Sequence, residues 1–560
     1  MTQSSVRGEG TRTDVRRTRG ADWTDGRPEE DETAPDGDGP GRGGGGAGGR
    51  RDGRGRRGGG KRRVLRWSAT TLAVLILGTA GAGYLYYQHL NDNIRKGERS
   101  SGDSKARKSE PNAAGQTPLN ILLIGSDSRN SDANVALGGS RDNRGNPPLG
   151  DVQMLIHLSA DRKSAAVVSI PRDTRVSIPR CTDPKTGEVY PPVTDIINVS
   201  LARGGAGCTL ATWQNLTGVY IDHWMTIDFA GVVKMADAIG GVDVCVQQNV
   251  WDRPLPAVPG GSGLKLTAGT HKVKGKQALQ WLRTRHAWGS DPLRARAQHM
   301  YLNSMIRVLK QQNVFTGTGR LMDLAEAATK SLQVSEEIGT VKKLYDLGMQ
   351  LKTVPTNRIT MTTMPWVEDP DNRDHVVPDG ANADKMWQML RDDVAFDGNG
   401  KDSPAKQAAD QDEERAGARP AHTDGQIGVS VRNGTRTATT AAVPHRAADI
   451  SQVLAQKGFS RAAADASVTP SAERTVVRYP SAELKGDAER VAGALGIPLG
   501  SVEKSTDVSG VTVVVGADWR SGSAYPKQAP PKAGDIPENA DAINGADTKQ
   551  CMPVYAPYRW

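Results

Sequence analysis

Charged residues suited to phosphate chemistry follow apolar stretches at three places in the chain. These are Asp127 and Arg129 after Leu119–Ser126, Arg172 and Asp173 after Ala165–Ile170, and Arg283 and Arg285 near the end of Ala278–His286. Guanidinium groups bind phosphate oxygens in pairs. On their own, Arg172 and Asp173 could be a structural pair at a strand end. Three apolar strands with the same design predict a site for a polyanion.

A helix after the third stretch adds two polar side chains to this group. The pattern predicts a helix over 292–310, with Asp291 as its N-cap and Pro292 in its first turn. Arg294 and Gln298 are four residues apart, so they share one face of that helix. If 278–286 is a strand, Arg283 and Arg285 share a face as well. Four side chains from one strand–loop–helix unit can therefore converge.

The composition indicates several domains and some disorder. The chain has 560 residues, of which 37% are hydrophobic and 24% charged, and it contains 64 glycines and 32 prolines. It is too long for one domain and too polar to be packed throughout. The net charge is +9, yet the region with the three strands contains no long basic block. A nucleic-acid-binding protein is therefore not favoured, and we expect no specific nucleic acid partner.

The amino-terminal region predicts a membrane anchor. Residues 1–63 are rich in Gly, Arg and Asp and are expected to form a disordered cytoplasmic tail. Residues 64–88 are predicted to be a single transmembrane helix, because 67–87 carries no charge and can span a hydrocarbon core of about 30 Å. The preceding basic run keeps the amino terminus in the cytoplasm and places later residues outside. A cleaved signal peptide is the alternative.

The remaining segments predict two α/β domains. Residues 89–117 form a polar tether, and 118–392 alternate strands and helices, which predicts a mixed sheet sandwiched by helices. A linker over 393–425 leads to a smaller α/β module over 426–520. Residues 521–560 are proline-rich and are expected to be an irregular tail.

The four cysteines predict disulfides, because the domains are expected outside the cytoplasm and the chain has no Cys-x-x-Cys motif. Cys181 and Cys208 flank a loop-rich insertion and are expected to pair. Cys245 and Cys551 could pair or stay free.

The chain resembles the LytR–CpsA–Psr cell-envelope phosphotransferases. The resemblance covers roughly 118–310 and rests on segments that occur in the family's order: 120–129, 169–174, 221–231, 237–244, 264–271 and 275–279, followed by Arg283, Arg285, Arg294 and Gln298. Residues 429–434 and 513–518 resemble the LytR carboxyl-terminal domain that accompanies this family in actinobacterial-type proteins.

The resemblance implies a transferase of the cell membrane whose catalytic domain is extracytoplasmic. It would move a glycan-1-phosphate from a polyprenyl diphosphate carrier to peptidoglycan in contact with membrane lipid, and it could also hydrolyse polyprenyl diphosphate. Asp127 and Asp151 would bind Mg²⁺ or Mn²⁺, and Arg172 and Asp173 would be catalytic. The residues implied for diphosphate binding are Arg129, Arg172, Arg283, Arg285, Arg294 and Gln298.

Two family cations are missing from the sequence. Leu149 stands where the family usually has an arginine, and Ile196 stands where it usually has a lysine. Arg141, Arg144 or Arg203 could replace them from nearby loops. The departures allow one alternative to an enzyme, a catalytically weakened wall- or lipid-binding scaffold. A membrane-anchored regulator of envelope assembly, acting through the cytoplasmic tail, is a second alternative suggested by the family's name, but no DNA-binding motif before Lys61 supports it.

Four further residues near the arginines have structural interpretations. His286 and His299 could help to position phosphate, but structural or exposed histidines are favoured. Trp281 and Trp288 could contact sugar or lipid, but core packing is the default.

Overall fold

The computed structural model describes residues 59–112, 114–127, 132, 134, 137, 145–311, 318–398, 420–437, 440–467, 471–472, 474–526 and 531–560. The chain divides into two units, Met1–Ile76 and Leu77–Trp560. Within the first unit, residues 59–76 are described and are helical.

The strands are β1 (Arg95–Gly97), β2 (Leu119–Ser126), β3 (Gly150–Leu158), β4 (Ala165–Ile170), β5 (Arg175–Ile178), β6 (Cys181–Thr182), β7 (Val189–Tyr190), β8 (Val193–Ile196), β9 (His223–Ile227), β10 (Val242–Val246), β11 (Val250–Trp251), β12 (Lys265–Leu266), β13 (Gly269–Val273), β14 (Leu332–Ser335), β15 (Ile359–Thr363), β16 (Trp366–Asp369), β17 (Asn372–Pro378), β18 (Gly428–Asn433), β19 (Arg461–Asp465), β20 (Val476–Tyr479), β21 (Val502–Lys504), β22 (Val511–Val515) and β23 (Ile543–Asn544). The α-helices are α1 (Gly59–Asn93), α2 (Ser200–Thr217), α3 (Phe229–Ala238), α4 (Gly275–Arg283), α5 (Asp291–Gln311), α6 (Thr318–Ser331), α7 (Val341–Thr353), α8 (Gly380–Arg391), α9 (Arg446–Gln456) and α10 (Lys485–Leu495).

Helix α1 contains the predicted membrane anchor. Its segment Arg63–Asn93 is long and apolar enough to cross a membrane, and none of its most apolar window is buried in the protein. The predicted span of 64–88 lies inside this segment. A long apolar helix that the protein leaves uncovered is what a membrane span requires.

The main sheet is mixed, as the sequence predicted, and has the order β1-β14-β9-β2-β3-β4-β15-β23. Strands β2, β3 and β4 are antiparallel neighbours, whereas β9 runs parallel to β2 and β15 runs parallel to β4. All six residues of the central strand β4 are buried, which explains its unbroken apolar pattern.

Helices cover both faces of this sheet. Leu122 and Ile124 of β2 face one core, which also contains Trp213 of α2 and Trp387 of α8. The neighbouring Ile121 faces a second core, which also includes residues of α5 and α7. Successive strand residues point to opposite faces, so the alternating apolar positions of β2 fill both layers.

Pairing directions bring the charged strand ends to one edge of the sheet. The carboxyl ends of β2, β4 and β9 meet the amino end of β3 there, because β3 is antiparallel to β2 and β4. The same edge therefore receives Asp127 after β2, Asp151 at the start of β3, and Arg172 after β4.

The predicted third strand is wrong. Residues 275–283 form helix α4, and a short 3-10 turn, His286–Trp288, follows the loop that holds Arg285. The buried side chains Ala278, Leu279 and Trp281 have the spacing of one helix face, which a short apolar run does not distinguish from a buried strand. Arg283 and Arg285 thus come from a helix end and a loop.

The carboxyl-terminal module has a five-stranded sheet with the order β19-β18-β22-β20-β21. The predicted strands and helices of 426–520 correspond to β18, α9, β20, α10 and β22. Strands β19 and β21 were not predicted. Its core is formed within the module by residues including Val431, Ile450 and Val513.

The tail is mostly irregular, and its part from residue 531 onward packs against the first α/β domain. Ile543 and Asn544 form β23, which pairs with β15 at one end of the main sheet. Met552 and Tyr558 are buried in a core with β10 and α4. The backbone N–H of Gly534 donates to the carbonyl of Ala395 at 3.0 Å, so the tail re-enters beside the end of the first α/β domain.

Both pairs of cysteines form disulfides. Cys181 pairs with Cys208, as predicted. Cys245 pairs with Cys551, which resolves the alternative that the sequence left open. The second disulfide attaches the tail to β10.

Candidate functional site

The two predicted metal-binding carboxylates flank the start of β3. The backbone N–H of Leu149 donates to Oδ1 of Asp127 at 2.7 Å, and the N–H of Asp127 donates to the Leu149 carbonyl at 3.2 Å. An irregularity between Gly125 and Ser126 ends the regular pairing of β2 with β3 at this point. Asp151 follows two residues after Leu149, so both carboxylates lie at one edge of the sheet.

Arg172 links Asp151 to Asp173. Its Nη1 donates to Oδ1 of Asp151 at 3.2 Å, and its Nε donates to Oδ2 of Asp173 at 3.3 Å. Burial lowers the pKa of Arg172, but Asp151, Asp173 and Asp291 together outweigh it and raise that pKa. The guanidinium is therefore a fixed, permanent cation at the exit of β4.

Helices α4 and α5 bring the other predicted side chains to the same edge. Arg283, at the end of α4, lies over the ring of Phe229 at 4.8 Å. Arg285 and Arg294 both pair with Oδ1 of Asp291, through Nε at 3.0 Å and Nη2 at 3.7 Å. One turn further along α5, Gln298 donates to the carbonyl of Leu282 at 3.1 Å.

Asp291 forms a carboxyl pair with Asp173. Burial, followed by a hydrogen bond to Asp291, raises the pKa of Asp173. Burial would also raise the pKa of Asp291, but Arg294, the bond to Asp173, and Arg285 together lower it. Asp173 is thus the carboxyl of the pair that holds a proton more readily. The sequence indicated Asp291 only as a helix cap. Its pairing with Asp173 depends on contacts between a strand end and a helix start that are far apart in the chain.

A cavity of about 550 Å³ opens among these residues. Its charged part is lined by Asp151, Arg172, Arg283, Arg285, Arg294 and Gln298. Its apolar part is lined by Met225, Ile227, Phe229, Val232, Met235, Leu279, Leu282, Tyr301, Leu302, Met305 and Leu332. The cavity can therefore receive a molecule that is anionic at one end and hydrocarbon at the other.

The apolar walls were not predicted as part of the site. They come from β9, α3, α4, α5 and β14, whose apolar residues read as core positions in the sequence. Asp228, which also lines the cavity, caps α3 by accepting a hydrogen bond from the N–H of Gly231 at 2.9 Å. The cavity forms because these helices and strands leave space between their apolar side chains, and the sequence has no pattern that indicates such a gap.

The two tryptophans and two histidines that the sequence placed near the arginines differ in burial and in their distance from the cavity. Trp281 and Trp288 are buried in the core, as expected. His299 is fully buried, and burial lowers its pKa to about 3, so it is a neutral structural histidine. His286 lines the cavity.

Of the arginines suggested to replace the missing cations, Arg203 is engaged elsewhere. It donates to the carbonyl of Pro191 and lies over the ring of Tyr190. Arg129, Arg141 and Arg144 lie outside the described residues.

The donor set at the edge suits a hard divalent cation. Asp127 and Asp151 offer carboxylate oxygens, which Mg²⁺ and Mn²⁺ prefer. Within the part of the chain that the structure describes, no group of three or more His, Cys, Asp or Glu side chains is placed to hold an ion.

Comparison with known proteins agrees with this architecture. Residues 84–392 match the LytR_cpsA_psr family, and residues 426–519 match the family described as LytR cell envelope-related transcriptional attenuator. Because the first match covers more than half of the chain, this protein belongs to the LytR_cpsA_psr family.

Two relatives and one solved structure show the extent of the similarity. The chain is 29% identical over 328 residues to the cell wall biosynthesis protein LcpA of Corynebacterium glutamicum, covering 54% of this chain and 60% of LcpA. It is 24% identical over 306 residues to TagT of Bacillus subtilis, the polyisoprenyl-teichoic acid–peptidoglycan teichoic acid transferase, covering 54% of this chain and 87% of TagT. The LytR-Csp2A-Psr enzyme from Actinomyces oris aligns with 18% identity and a TM-score of 0.37, covering 52% of this chain and 96% of that one.

Proposed function

We propose that this protein is a cell-wall transferase that moves a glycan-1-phosphate from a polyprenyl diphosphate carrier to peptidoglycan, with Mg²⁺ or Mn²⁺. The observation that carries the proposal is the cavity that joins an arginine-lined opening to an apolar interior. A polyprenyl diphosphate has the same two-part chemistry. The names of LcpA and TagT place both relatives in cell-wall synthesis and support the same class.

The apolar interior would hold the lipid. Residues such as Met235, Leu282 and Met305 offer a hydrocarbon surface, and burial of each CH₂ group contributes about 0.8 kcal/mol. A soluble sugar phosphate would gain nothing from this surface. The lining therefore favours a lipid-linked donor.

The charged opening would hold the diphosphate. Arg172, Arg285 and Arg294 approach it from a strand end, a loop and a helix, so their guanidinium groups can contact one anion from different directions. Asp127 and Asp151 would hold the metal, which would neutralise charge on the diphosphate oxygens when bound.

Transfer requires an acceptor hydroxyl to attack the phosphorus that bears the glycan. A new O–P bond then forms, the bond to the bridging oxygen breaks, and polyprenyl phosphate leaves. Asp173 would accept the hydroxyl proton, and its raised pKa suits a general base. Arg172 would stabilise the charge that develops on the leaving oxygen. Water in place of the acceptor would give hydrolysis.

The missing cations at Leu149 and Ile196 favour one alternative, a catalytically weakened scaffold. We expect the full chain, purified in detergent, to release polyprenyl phosphate from a polyprenyl diphosphate-linked glycan when Mg²⁺ is present. Binding of that donor without turnover would support a scaffold instead. The absence of both binding and turnover would contradict the proposed substrate.

The arginine cluster gives a prediction that separates charge from geometry. Arg285→Lys should lower turnover about ten- to a hundredfold, because lysine keeps the charge but cannot make a paired contact with phosphate oxygens, and a charge-assisted hydrogen bond contributes about 1.5–3 kcal/mol. The matched control is Arg320→Lys, an exposed position on α6. Equal turnover of the two variants would show that Arg285 is only a solvated charge.

The uncovered segment of α1 predicts the topology. We propose one membrane span with a cytoplasmic amino terminus, because basic residues precede the span. Alkaline phosphatase fused after residue 560 should be active, since it functions outside the cytoplasm, whereas a fusion before residue 60 should be inactive. The opposite pattern would contradict this orientation.

A further inference from the structure

A second cavity, of about 490 Å³, adjoins the charged opening of the first. Arg285 and His286 line both cavities. The consecutive residues Arg172 and Asp173 line different ones, with Arg172 in the first cavity and Asp173 in the second. A reaction that needs the cation of Arg172 and the carboxylate of Asp173 would therefore take place where the two cavities meet.

The outer wall of the second cavity is the hairpin β16–β17, which is fixed directly to Asp173. The backbone N–H of Val376 donates to the carbonyl of Asp173 at 3.1 Å. Next to it, Arg175 pairs with the fully buried carboxylate of Asp369 at 2.6 Å. The hairpin is thus held in one position relative to the carboxylate, as a binding wall must be.

The charges of the second cavity differ from those of the first. Its lining has four carboxylates, from Asp173, Asp291, Glu368 and Asp374, and two arginines, Arg285 and Arg373. Carboxylates in excess disfavour a second polyanion. They are, however, good hydrogen-bond acceptors for hydroxyl and amide groups.

One aromatic side chain completes this lining. Trp366 is partly buried and lies at the base of the hairpin. An indole offers a flat apolar face against which the C–H face of a sugar ring can pack. Hydrogen-bond acceptors and donors, here carboxylates and arginines, placed around one aromatic face are typical of a site for an uncharged glycan.

We propose that the second cavity binds the acceptor, an N-acetylated glycan of peptidoglycan, and directs one of its hydroxyl groups toward Asp173. This inference rests on the proposed transfer reaction and adds the place of its second substrate. The glycan lies against Trp366 and the hairpin side chains Arg373 and His375. The lipid-linked donor enters from the other side of Arg285.

Steady-state kinetics with both substrates tests the assignment. Trp366→Ala and Arg373→Ala should each raise the KM for a soluble peptidoglycan glycan oligomer about fivefold or more, which is the effect of losing one aromatic contact or one hydrogen bond. The KM for the polyprenyl diphosphate donor should stay within about twofold. Trp366→Phe should restore most of the acceptor affinity. The matched control is Val367→Ala, because this neighbouring side chain is 44% exposed and does not line the cavity.

A direct measurement of glycan binding tests the acceptor site separately from the proposed transfer reaction. Titration of wild type and Arg373→Ala with the glycan oligomer, without donor, should show weaker binding by the variant, whether or not the wild type turns over. Unchanged acceptor affinity in both hairpin variants would overturn the assignment, as would an equal rise of the donor and acceptor KM. A wild type that binds the oligomer but does not release polyprenyl phosphate would count against the proposed function alone.

Discussion

Replacing Asp151 with alanine is expected to lower turnover by about a hundredfold or more. The change removes a proposed metal ligand, and a bound metal ion contributes several kcal/mol to the stabilisation of charge at a reacting phosphate, where about 1.4 kcal/mol is a factor of ten. It also leaves Arg172 without one of its two carboxylate partners. Asp127→Ala should have a similar effect, because Asp127 lies at the same sheet edge.

Metal titrations of these variants identify the cause of the loss. Both should need much more Mg²⁺ for half-maximal turnover, and both should keep the wild-type melting temperature, because neither side chain is buried in a core. Asp243→Ala is the matched control, since Asp243 is exposed and pairs with Lys272 on a neighbouring strand, away from the charged sheet edge. A wild-type Mg²⁺ requirement in Asp127→Ala would show that Asp127 is not a ligand.

Removal of residues 531–560 is expected to destabilise the catalytic domain severely. The tail buries four large side chains, Ile543, Met552, Val554 and Tyr558. At about 1.5–3 kcal/mol each, their loss amounts to at most roughly 6–12 kcal/mol, which is comparable with the whole free energy of unfolding of a typical domain. We expect the truncated protein to aggregate or to melt at least about 10 °C lower.

An internal deletion is the control for this truncation. Replacing residues 399–530 with a short Gly/Ser linker removes the carboxyl-terminal module but keeps the tail, and Gly534 lies next to Ala395. We expect this variant to fold and to retain turnover, because the side chains that line both cavities lie between residues 123 and 376. A stable truncation, or an unfolded internal deletion, would contradict the view that the tail completes the catalytic domain.

The sequence predicted the central part of the fold well, for a physical reason. Strands β2, β3 and β4 are buried on both faces, so their apolar runs are long and end abruptly at charged residues. The helix over α5 was equally clear, because Asp291 and Pro292 mark its start. These are local signals, and local signals can be read from a sequence.

Features that depend on distant contacts were not predictable. Strand β23 has two residues and pairs with β15 only because the chain returns after an entire second module. The strand predicted at 278–286 is a helix, since the spacing of its buried residues is decided by packing against α3 and α5. Likewise, the pairing of Asp173 with Asp291 joins a strand end to a helix start and has no sequence pattern of its own.

The central claim is that the phosphorus next to the glycan is transferred. It is tested most directly with a polyprenyl diphosphate-linked glycan that carries ³²P only in the phosphate attached to the sugar, incubated with the full chain, Mg²⁺ and peptidoglycan. We expect the label to appear in the peptidoglycan and unlabelled polyprenyl phosphate to be released. Label recovered in the polyprenyl phosphate, or left entirely in the intact donor, would contradict it.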